Sequence, residues 1–322
     1  MYATLKKAQP YALRIIENSI KNDRLSHAYL FTGPKGTYKK EMALHLAMML
    51  YCKEEVPCYN CDECKAILEN RHLNIYYIEP LGQTIKKEQI IALQEEFSKT
   101  SLIPGPRIYI INDADTMSTS AANSLLKFIE EPSSEIYGIL ITEHKDNMLS
   151  TIISRSMVVT FNDLDKKVLN DELLKTEKSK LLINATTLVT SNIQEALSLI
   201  EDEGFIKTIN VFEKFVNNLA EKKNTNLFYR ENSDILGNKE KLNVFLTLLE
   251  TYFRDIYEYQ LNSQILVFDS LEEQIKMSVG HFSSDEVLKY LFQVLQLSKK
   301  ISYNVNMNLL INQFLIELNG GI

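Results

Sequence analysis

The chain has 322 residues, 45% of them hydrophobic, which suggests two or three domains with a large buried core. Its formal net charge of −7 argues against a broad DNA-coating surface, because phosphate contacts favour a basic excess. The first eleven residues lack the apolar run of a signal peptide, and no apolar stretch approaches a membrane span, so we expect a cytoplasmic protein without membrane contact.

The first half of the chain alternates helical patterns with short apolar runs. Apolar residues at helical spacing predict helices at 9–22, 41–51, 87–98 and 120–130, the last of them stopped by Pro132. Continuous apolar runs predict buried strands at 28–32, 74–78, 107–111, 137–142 and 157–161. Strands separated by helices indicate an α/β fold with a parallel sheet covered on both faces.

Strands nearly vanish after residue 163, and the second half is predicted to be helical. Ser283 or Ser284 can cap one of its helices, and Gly320-Gly321 ends the last one. The polar stretch 222–240 is predicted to be a loop. The predicted helices of this half are 173–190, 192–203, 244–256, 287–295 and 307–318.

A glycine turn lies between the first strand and the next helix, which is the setting of a phosphate-binding loop. Gly33, Gly36 and Lys39 fit such a loop. Tyr38 stands where its second required glycine belongs, and Lys40 stands where the magnesium-binding hydroxyl belongs. A tyrosine side chain obstructs the approach of phosphate to the backbone, and an ammonium cannot coordinate a cation. We therefore expect no ATP hydrolysis, although the turn alone is equally compatible with an ordinary turn.

The position that should hold the metal ion of a nucleotide site is also altered. An acidic residue is expected directly after the strand 107–111, but Asn112 stands there. Asparagine is neutral and a poorer partner for a metal ion. Asp113 lies one residue further along and would need a different orientation to replace it.

All four cysteines, Cys52, Cys58, Cys61 and Cys64, lie within thirteen residues. The spacing Cys-x5-Cys-x2-Cys-x2-Cys lets four thiolates converge on one ion, which favours a closed, structural zinc site. A redox-active Cys-x2-Cys pair and an iron–sulfur cluster are the alternatives, and the redox pair lacks a thioredoxin-like strand context. His72 is the nearest histidine in sequence, and we expect it to be a surface residue.

Three further segments accompany the cysteines in a fixed order. They are 24–34 (RLSHAYLFTGP), 121–132 (AANSLLKFIEEP) and 151–156 (TIISRS). In order and spacing the motifs resemble the bacterial sliding-clamp loader of the DNA polymerase III holoenzyme, in particular its delta-prime subunits. There the segments are the entry to the phosphate loop, a signature helix and the Ser-Arg-Cys motif, whose cysteine is replaced here by Ser156.

The resemblance covers about residues 10–162 and implies three domains. The first, 1–162, would be an AAA+ (P-loop NTPase-like) nucleotide-binding domain with a zinc module at about 52–64. A small helical lid domain at 163–204 and an all-α collar or oligomerisation domain at 205–322 would follow. These two helical domains fit the family by length and pattern alone.

The resemblance also gives a role to Arg155, which matches the arginine that reaches into a neighbouring subunit's ATP site in this family. A guanidinium at the γ-phosphate stabilises developing charge. From the residues alone, an ordinary salt bridge is the simpler interpretation. Delta-prime subunits are the members expected to lack a working ATP site while donating this arginine.

The implied function is that of a non-catalytic ring scaffold in DNA replication. The expected partners are the gamma/tau motor subunits and the delta subunit in a five-membered ring, and indirectly the sliding clamp and primer–template DNA. The complex would have ATP-dependent clamp-loading and DNA-directed DNA polymerase activity.

Two other functions stay open from the sequence. Lys39 is retained, so a weakly active, ATP-binding motor-type (gamma/tau-like) subunit is one alternative. A zinc-dependent DNA-binding protein is the other. The acidic balance argues against this second alternative, and the short cysteine cluster leaves little room for a helix that reads DNA.

Overall fold

The structure, a computed structural model, describes residues 1–130, 135–225, 227–262, 266–301 and 307–319. The chain forms two compact units, Met1–Asp165 and Lys166–Ile322. The first unit is an α/β structure and the second is mainly helical. The finer division at 162/163 and 204/205 stays a prediction.

The described part of the first unit contains one parallel sheet with the strand order β2-β3-β4-β1-β5. Each strand lies within one residue of its predicted bounds, so the predicted parallel sheet is confirmed. The strands are β1 Ala28–Thr32, β2 Ile75–Ile78, β3 Arg107–Ile111, β4 Ile136–Thr142 and β5 Met157–Thr160.

Alternate residues of β1 face two different cores, because successive side chains of a strand point to opposite faces. Tyr29 and Phe31 join a cluster with the helices before and after the glycine turn, and Leu30 joins a cluster on the other face. The helices of this unit are α1 Tyr2–Ala8, α2 Pro10–Lys21, α3 Lys39–Tyr51, α4 Asp62–Leu68, α5 Lys87–Ser98, α6 Thr119–Glu130 and α7 Ser150–Arg155. Glu131 and Pro132, the predicted end of the signature helix, lie outside the described residues.

The parallel strands place two sets of residues at opposite edges of the sheet. Thr32 pairs with Thr142 and Thr160, so β1, β4 and β5 end together at the carboxyl edge, and the glycine turn begins there. β1 lies between β4 and β5 although they are distant from it in sequence, and such a crossover is where open α/β sheets bind ligands. The last residue of α7, Arg155, lies two residues before β5 begins and is therefore near the amino edge.

The second unit is organised around the long helix α14. Its Leu249, Tyr252 and Ile256 are fully buried, and it packs against α11, α15 and α16. The helices are α8 Lys166–Leu173, α9 Lys180–Val189, α10 Ile193–Leu199, α11 Glu203–Ala220, α12 Phe228–Glu231, α13 Ser233–Leu236, α14 Lys239–Gln260, α15 Glu272–Val279, α16 Ser284–Ile301 and α17 Met307–Leu318. In the described part of the chain, no helix has both the length and the apolar character needed to cross a bilayer.

The caps of this unit confirm one prediction and correct another. Ser283 Oγ accepts the N–H of Glu286, and the Glu286 carboxylate accepts the N–H of Ser283, which is a capping box at the start of α16. The predicted helix 173–190 is interrupted, because Glu177 adopts a left-handed conformation (φ 58°) and Ser179 caps a new helix. Gly320 and Gly321 lie outside the described residues.

The prediction of a loop at 222–240 was wrong in part. The one-turn helices α12 and α13 lie within it and bury Phe228 and Leu236. Each helix is only four residues long, so neither contains enough residues to show helical periodicity among polar neighbours.

The substitution Gly138→Ala tests how tightly the centre of the sheet is packed. A Cβ atom built at Gly138 would lie 2.1 Å from Cζ of Tyr109 on the adjacent strand, whose ring is 2% exposed. Because this ring is enclosed, we expect Gly138→Ala to lower the free energy of unfolding by roughly 1–3 kcal/mol in urea denaturation. Gly280→Ala is the control, since its Cβ would meet its nearest atom at 3.4 Å. Equal stability of the two variants would contradict this account.

Candidate functional site

The glycine turn is closed by its own lysine. Lys39 Nζ donates to the carbonyl oxygens of Gly33 at 2.6 Å and Pro34 at 2.5 Å, and the residue is 7% exposed. Burial lowers the pKa of Lys39, while the negative charges of Glu143 and Asp113 oppose that shift. The ammonium that would contact a phosphate therefore lies against carbonyls of the turn itself.

Gly33 is required by the fold, independently of any nucleotide. Its φ is 150°, and a Cβ atom built there would lie 2.1 Å from the carbonyl oxygen of Phe161. The backbone that follows β5 thus approaches the turn too closely for any side chain. Gly36, the other predicted glycine of the turn, has a left-handed φ of 74°.

Tyr38 keeps the backbone conformation that glycine would have at its position. Its φ of 66° and ψ of 26° are left-handed, a conformation that costs a non-glycine residue about 1–3 kcal/mol. Its half-buried side chain packs against the hydrophobic core around α3. The turn therefore retains a glycine-like path at this point, and the predicted obstruction of phosphate by the tyrosine stays a prediction.

Lys40 forms an ion pair where the magnesium-binding hydroxyl was expected. Its Nζ lies 3.0 Å from Glu79 Oε1, and both side chains are about half exposed. Exposed pairs of this kind contribute about 0–1 kcal/mol to stability. The pair therefore adds little stability, and it holds the Lys40 ammonium against a carboxylate.

Carboxylates collect beside the turn at the carboxyl edge of the sheet. Asp113 has a left-handed φ of 49° and accepts a hydrogen bond from Asn112 Nδ2 at 3.1 Å. Burial raises the pKa of Asp113, and the neighbouring charges of Glu143 and Asp115 raise it further. Asp113 therefore lies near the turn, close enough for its charge to act on Lys39.

Sequence reasoning missed four residues of this edge: Glu79, Asp115, Thr142 and Glu143. The hydroxyl of Thr142 donates to Asp115 Oδ1 at 2.7 Å and accepts the N–H of His144. Three of the four lie at or directly after the end of a predicted strand. Their position at strand ends was therefore the signal that could have found them.

The four cysteines converge as predicted. Their Sγ atoms all lie within 4.8 Å of one another, and all four are free thiols. In a tetrahedral zinc site with zinc–sulfur distances near 2.3 Å, the sulfur atoms lie about 3.8 Å apart. The donor set therefore fits a metal ion after a small contraction.

Backbone N–H groups around the cysteines donate hydrogen bonds to some of the sulfur atoms, which favours the thiolate form that binds a cation. The N–H of Cys58 donates to Cys52 Sγ, and the N–H of Cys61 donates to Cys58 Sγ at 3.3 Å. Hydrogen bonds from the backbone of Asn60 and Cys61 lower the pKa of Cys58 to about 6. Burial raises the pKa of Cys64 to about 12, so a metal ion binding there has to displace its proton.

Two histidines anchor the cysteine segment to the rest of the first unit. A hydrogen bond of 2.5 Å joins the Tyr59 hydroxyl to Nδ1 of the buried His45 on α3. His72 Nε2 donates to Glu63 at 3.0 Å while its Nδ1 accepts the N–H of Asn74. The prediction that His72 is a surface residue was wrong: it is 5% exposed, because it joins α4 to the start of β2.

Arg155, the last residue of α7, is 42% exposed and holds two contacts within the chain. Its Nη2 lies 2.8 Å from Glu130 Oε1, and its Nη1 donates to the carbonyl oxygen of Thr151 at 3.3 Å. The salt bridge that the residues alone predicted is thus present. It leaves the guanidinium accessible to a second anion.

Arg155 and the glycine turn lie at opposite edges of the sheet. Phe161, whose carbonyl approaches Gly33, is four strand steps from Met157, which corresponds to roughly 13 Å. Arg155 lies two residues further from the turn. Arg155 is therefore too distant from the glycine turn of its own chain to contact it.

Comparisons with known proteins agree with this architecture. Residues 8–165 match the family model described as DNA polymerase III, delta subunit, and residues 209–320 match the model of its C-terminal part. The DNA polymerase III subunit delta′ of Bacillus subtilis is 36% identical over 98% of this chain and 98% of its own length.

Shorter matches extend to related subunits. Subunit delta′ of Pseudomonas aeruginosa is 33% identical over 40% of this chain and 41% of its own. Subunit tau/gamma of Haemophilus influenzae is 27% identical over 59% of this chain but only 29% of its own length. The chain therefore belongs to the delta-prime subunit family of bacterial DNA polymerase III, and its first unit has the AAA+ fold.

The cysteine cluster gives a test that needs no partner. If the cluster binds zinc, Cys58→Ser and Cys64→Ser should each bind it less tightly than the wild-type chain and unfold at a lower temperature, because a three-sulfur site holds the segment less tightly. Metal analysis and thermal unfolding measure both effects. Tyr59→Phe, which keeps all four sulfur atoms, is the control and should retain the metal. Metal-free wild-type protein with four freely reactive thiols would contradict this prediction.

Proposed function

We propose that the chain is a non-catalytic scaffold subunit of the sliding-clamp loader that completes a neighbouring subunit's ATP site with Arg155. Membership of the delta-prime family supports the place in DNA polymerase III. The arrangement of the sheet is the observation that supports an arginine acting on a neighbour and a turn that does not hydrolyse ATP. It separates an exposed arginine at the amino edge from a closed turn at the carboxyl edge.

The turn supports a site that does not hydrolyse ATP. Lys39 is held by carbonyl oxygens of the turn, and Lys40 offers an ammonium where Mg²⁺ would need an oxygen ligand. Without that ion, phosphoryl transfer lacks a main source of charge stabilisation. The isolated chain is accordingly not an ATPase in this proposal, although the assembled complex uses ATP to load clamps.

The cysteine cluster is proposed to hold a structural zinc ion. Four thiolates in a closed set are typical of such sites and leave no open position for a reacting water. Cys52, Cys58, Cys61 and Cys64 would hold the ion. Its contribution would be to fix the segment that Tyr59 and His45 join to α3.

The proposed partners are the gamma/tau motor subunits and the delta subunit, in a five-membered ring that works in the cytoplasm. The similarity to tau and gamma chains supports a shared assembly. Contact with the sliding clamp and primer–template DNA would be indirect. The net charge of −7 is consistent with a limited DNA surface.

A weakly ATP-binding, motor-type subunit is the second candidate. Tyr38 favours it, because the left-handed backbone at this position preserves part of a phosphate-binding path. The two candidates differ in whether Mg²⁺ strengthens nucleotide binding.

Lys40 separates these candidates. We expect wild-type protein to bind a fluorescent ATP analogue weakly, with no gain from Mg²⁺, because an ammonium cannot be a metal ligand. Lys40→Thr should bind the analogue of the order of tenfold more tightly with Mg²⁺ than without it, about 1.4 kcal/mol. Lys40→Ala, which removes the charge without supplying a hydroxyl, is the control. Mg²⁺-dependent turnover by the wild-type chain alone would favour the motor-type subunit.

Arg155 tests the action in trans. Arg155→Ala should leave folding and assembly intact but slow ATP hydrolysis by the reconstituted complex severalfold or more, since such arginines contribute roughly 10³–10⁵ in rate at their own site. Arg155→Lys should also be slow, because an ammonium lacks the planar fork. Arg14→Ala, an exposed arginine on α2, is the control. Unchanged turnover of the Arg155→Ala complex would show that this arginine has no role in hydrolysis.

A further inference from the structure

The acidic end of α6 contacts the arginine that the proposed function uses. Glu130 is the last residue of α6, and its Oε1 lies 2.8 Å from Arg155 Nη2. Glu130 belongs to the segment 121–132, which resembles the signature helix of the family. The pair joins two elements that are 20 residues apart along the chain from Glu130 to Ser150.

The hydrophobic core fixes the distance between these two helix ends. Ile129, next to Glu130, and Ile152, three residues before Arg155, are buried in the same cluster, 7% and 0% exposed. The helices α6 and α7 pack directly against each other. The backbone positions of Glu130 and Arg155 are therefore fixed relative to each other within the chain.

The contact is too exposed to serve mainly as a source of stability. The two side chains are 42% and 45% exposed, and pairs of this kind contribute about 0–1 kcal/mol. Its effect on geometry is larger. A free arginine side chain samples many rotamers, and contacts from Glu130 and from the Thr151 carbonyl restrict both terminal nitrogens of the guanidinium.

The guanidinium keeps the capacity to bind a phosphate while it is restrained. Arginine has five N–H donors: Nη1 donates one hydrogen to the Thr151 carbonyl oxygen, and Nη2 forms an ion pair with the Glu130 carboxylate. The remaining donors include Nε and a second hydrogen on each terminal nitrogen. A fixed plane with donors left over is the arrangement that lowers the entropic cost of binding an anion in a defined geometry.

We propose that Glu130 is a positioning residue, which orients Arg155 for the γ-phosphate of a nucleotide bound to a neighbouring subunit. This inference rests on the proposed function of Arg155. Glu130 touches no nucleotide itself and acts through the arginine. Its loss therefore impairs the chemical step more than the binding of ATP.

The test uses the complete reconstituted complex and varies ATP concentration. Glu130→Gln should lower the maximal rate of ATP hydrolysis by about threefold or more, but by no more than Arg155→Ala does, with KM for ATP changed by less than about twofold. Glu130→Asp should give an intermediate rate, because its carboxylate still attracts the guanidinium from a shorter side chain. Glu96→Gln is the control, since it removes a similar exposed ion pair, with Lys99 on α5, and should leave the rate unchanged.

A double variant separates positioning from a general structural effect. If Glu130 acts only through the arginine, Arg155→Ala/Glu130→Gln should be no slower than Arg155→Ala alone. The thermal unfolding of Glu130→Gln should match that of the wild-type chain. An additional loss of rate in the double variant, or a marked loss of stability, would overturn the positioning role.

The two proposals fail in different ways. If Arg155→Ala slows the complex and Glu130→Gln does not, the inference about Glu130 is wrong and the role of Arg155 stands. If Arg155→Ala leaves the rate unchanged, the action in trans is wrong and the inference falls with it.

Discussion

The close approach of the Phe161 backbone to Gly33 is the constraint on which the candidate site depends. A Cβ atom at Gly33 would lie 2.1 Å from the Phe161 carbonyl oxygen, so the turn and the end of β5 must share this space. The contact joins the turn to the end of the edge strand β5 whether or not a nucleotide binds. It explains physically how the turn can keep its path while Tyr38 and Lys40 depart from the residues that ATP hydrolysis requires.

The strands were predictable because each is a continuous apolar run, and a buried central strand such as β1 needs apolar residues on both faces. Short elements were not. The helices α1, α4 and α7 have six or seven residues, too few for a helical pattern. The burial of His72 could not be seen either, since a polar side chain is buried when partners such as Glu63 and Asn74 meet it in space.

The candidate site was predictable where spacing alone defines it. The cysteines converge because their short separations limit how far the sulfur atoms can part, and the sequence shows those separations directly. The contacts of Lys39 with its own turn, and of Arg155 with Glu130, depend instead on rotamers and on packing between distant segments. Spacing contains no information about these contacts, so the sequence could not show what Lys39 and Arg155 touch.

The two edges of the sheet also give the subunit a direction. A subunit with the arginine at one edge of its sheet and the nucleotide turn at the other cannot pair face to face with a second copy so that both features are used. It can join only head to tail, through two different surfaces. If Arg155 acts in trans as proposed, a subunit whose Lys39 is bound to the carbonyl oxygens of its own turn would complete one neighbour's ATP site while hydrolysing no ATP at its own. In the proposed ring, the series of ATP-hydrolysing sites would therefore begin next to this subunit.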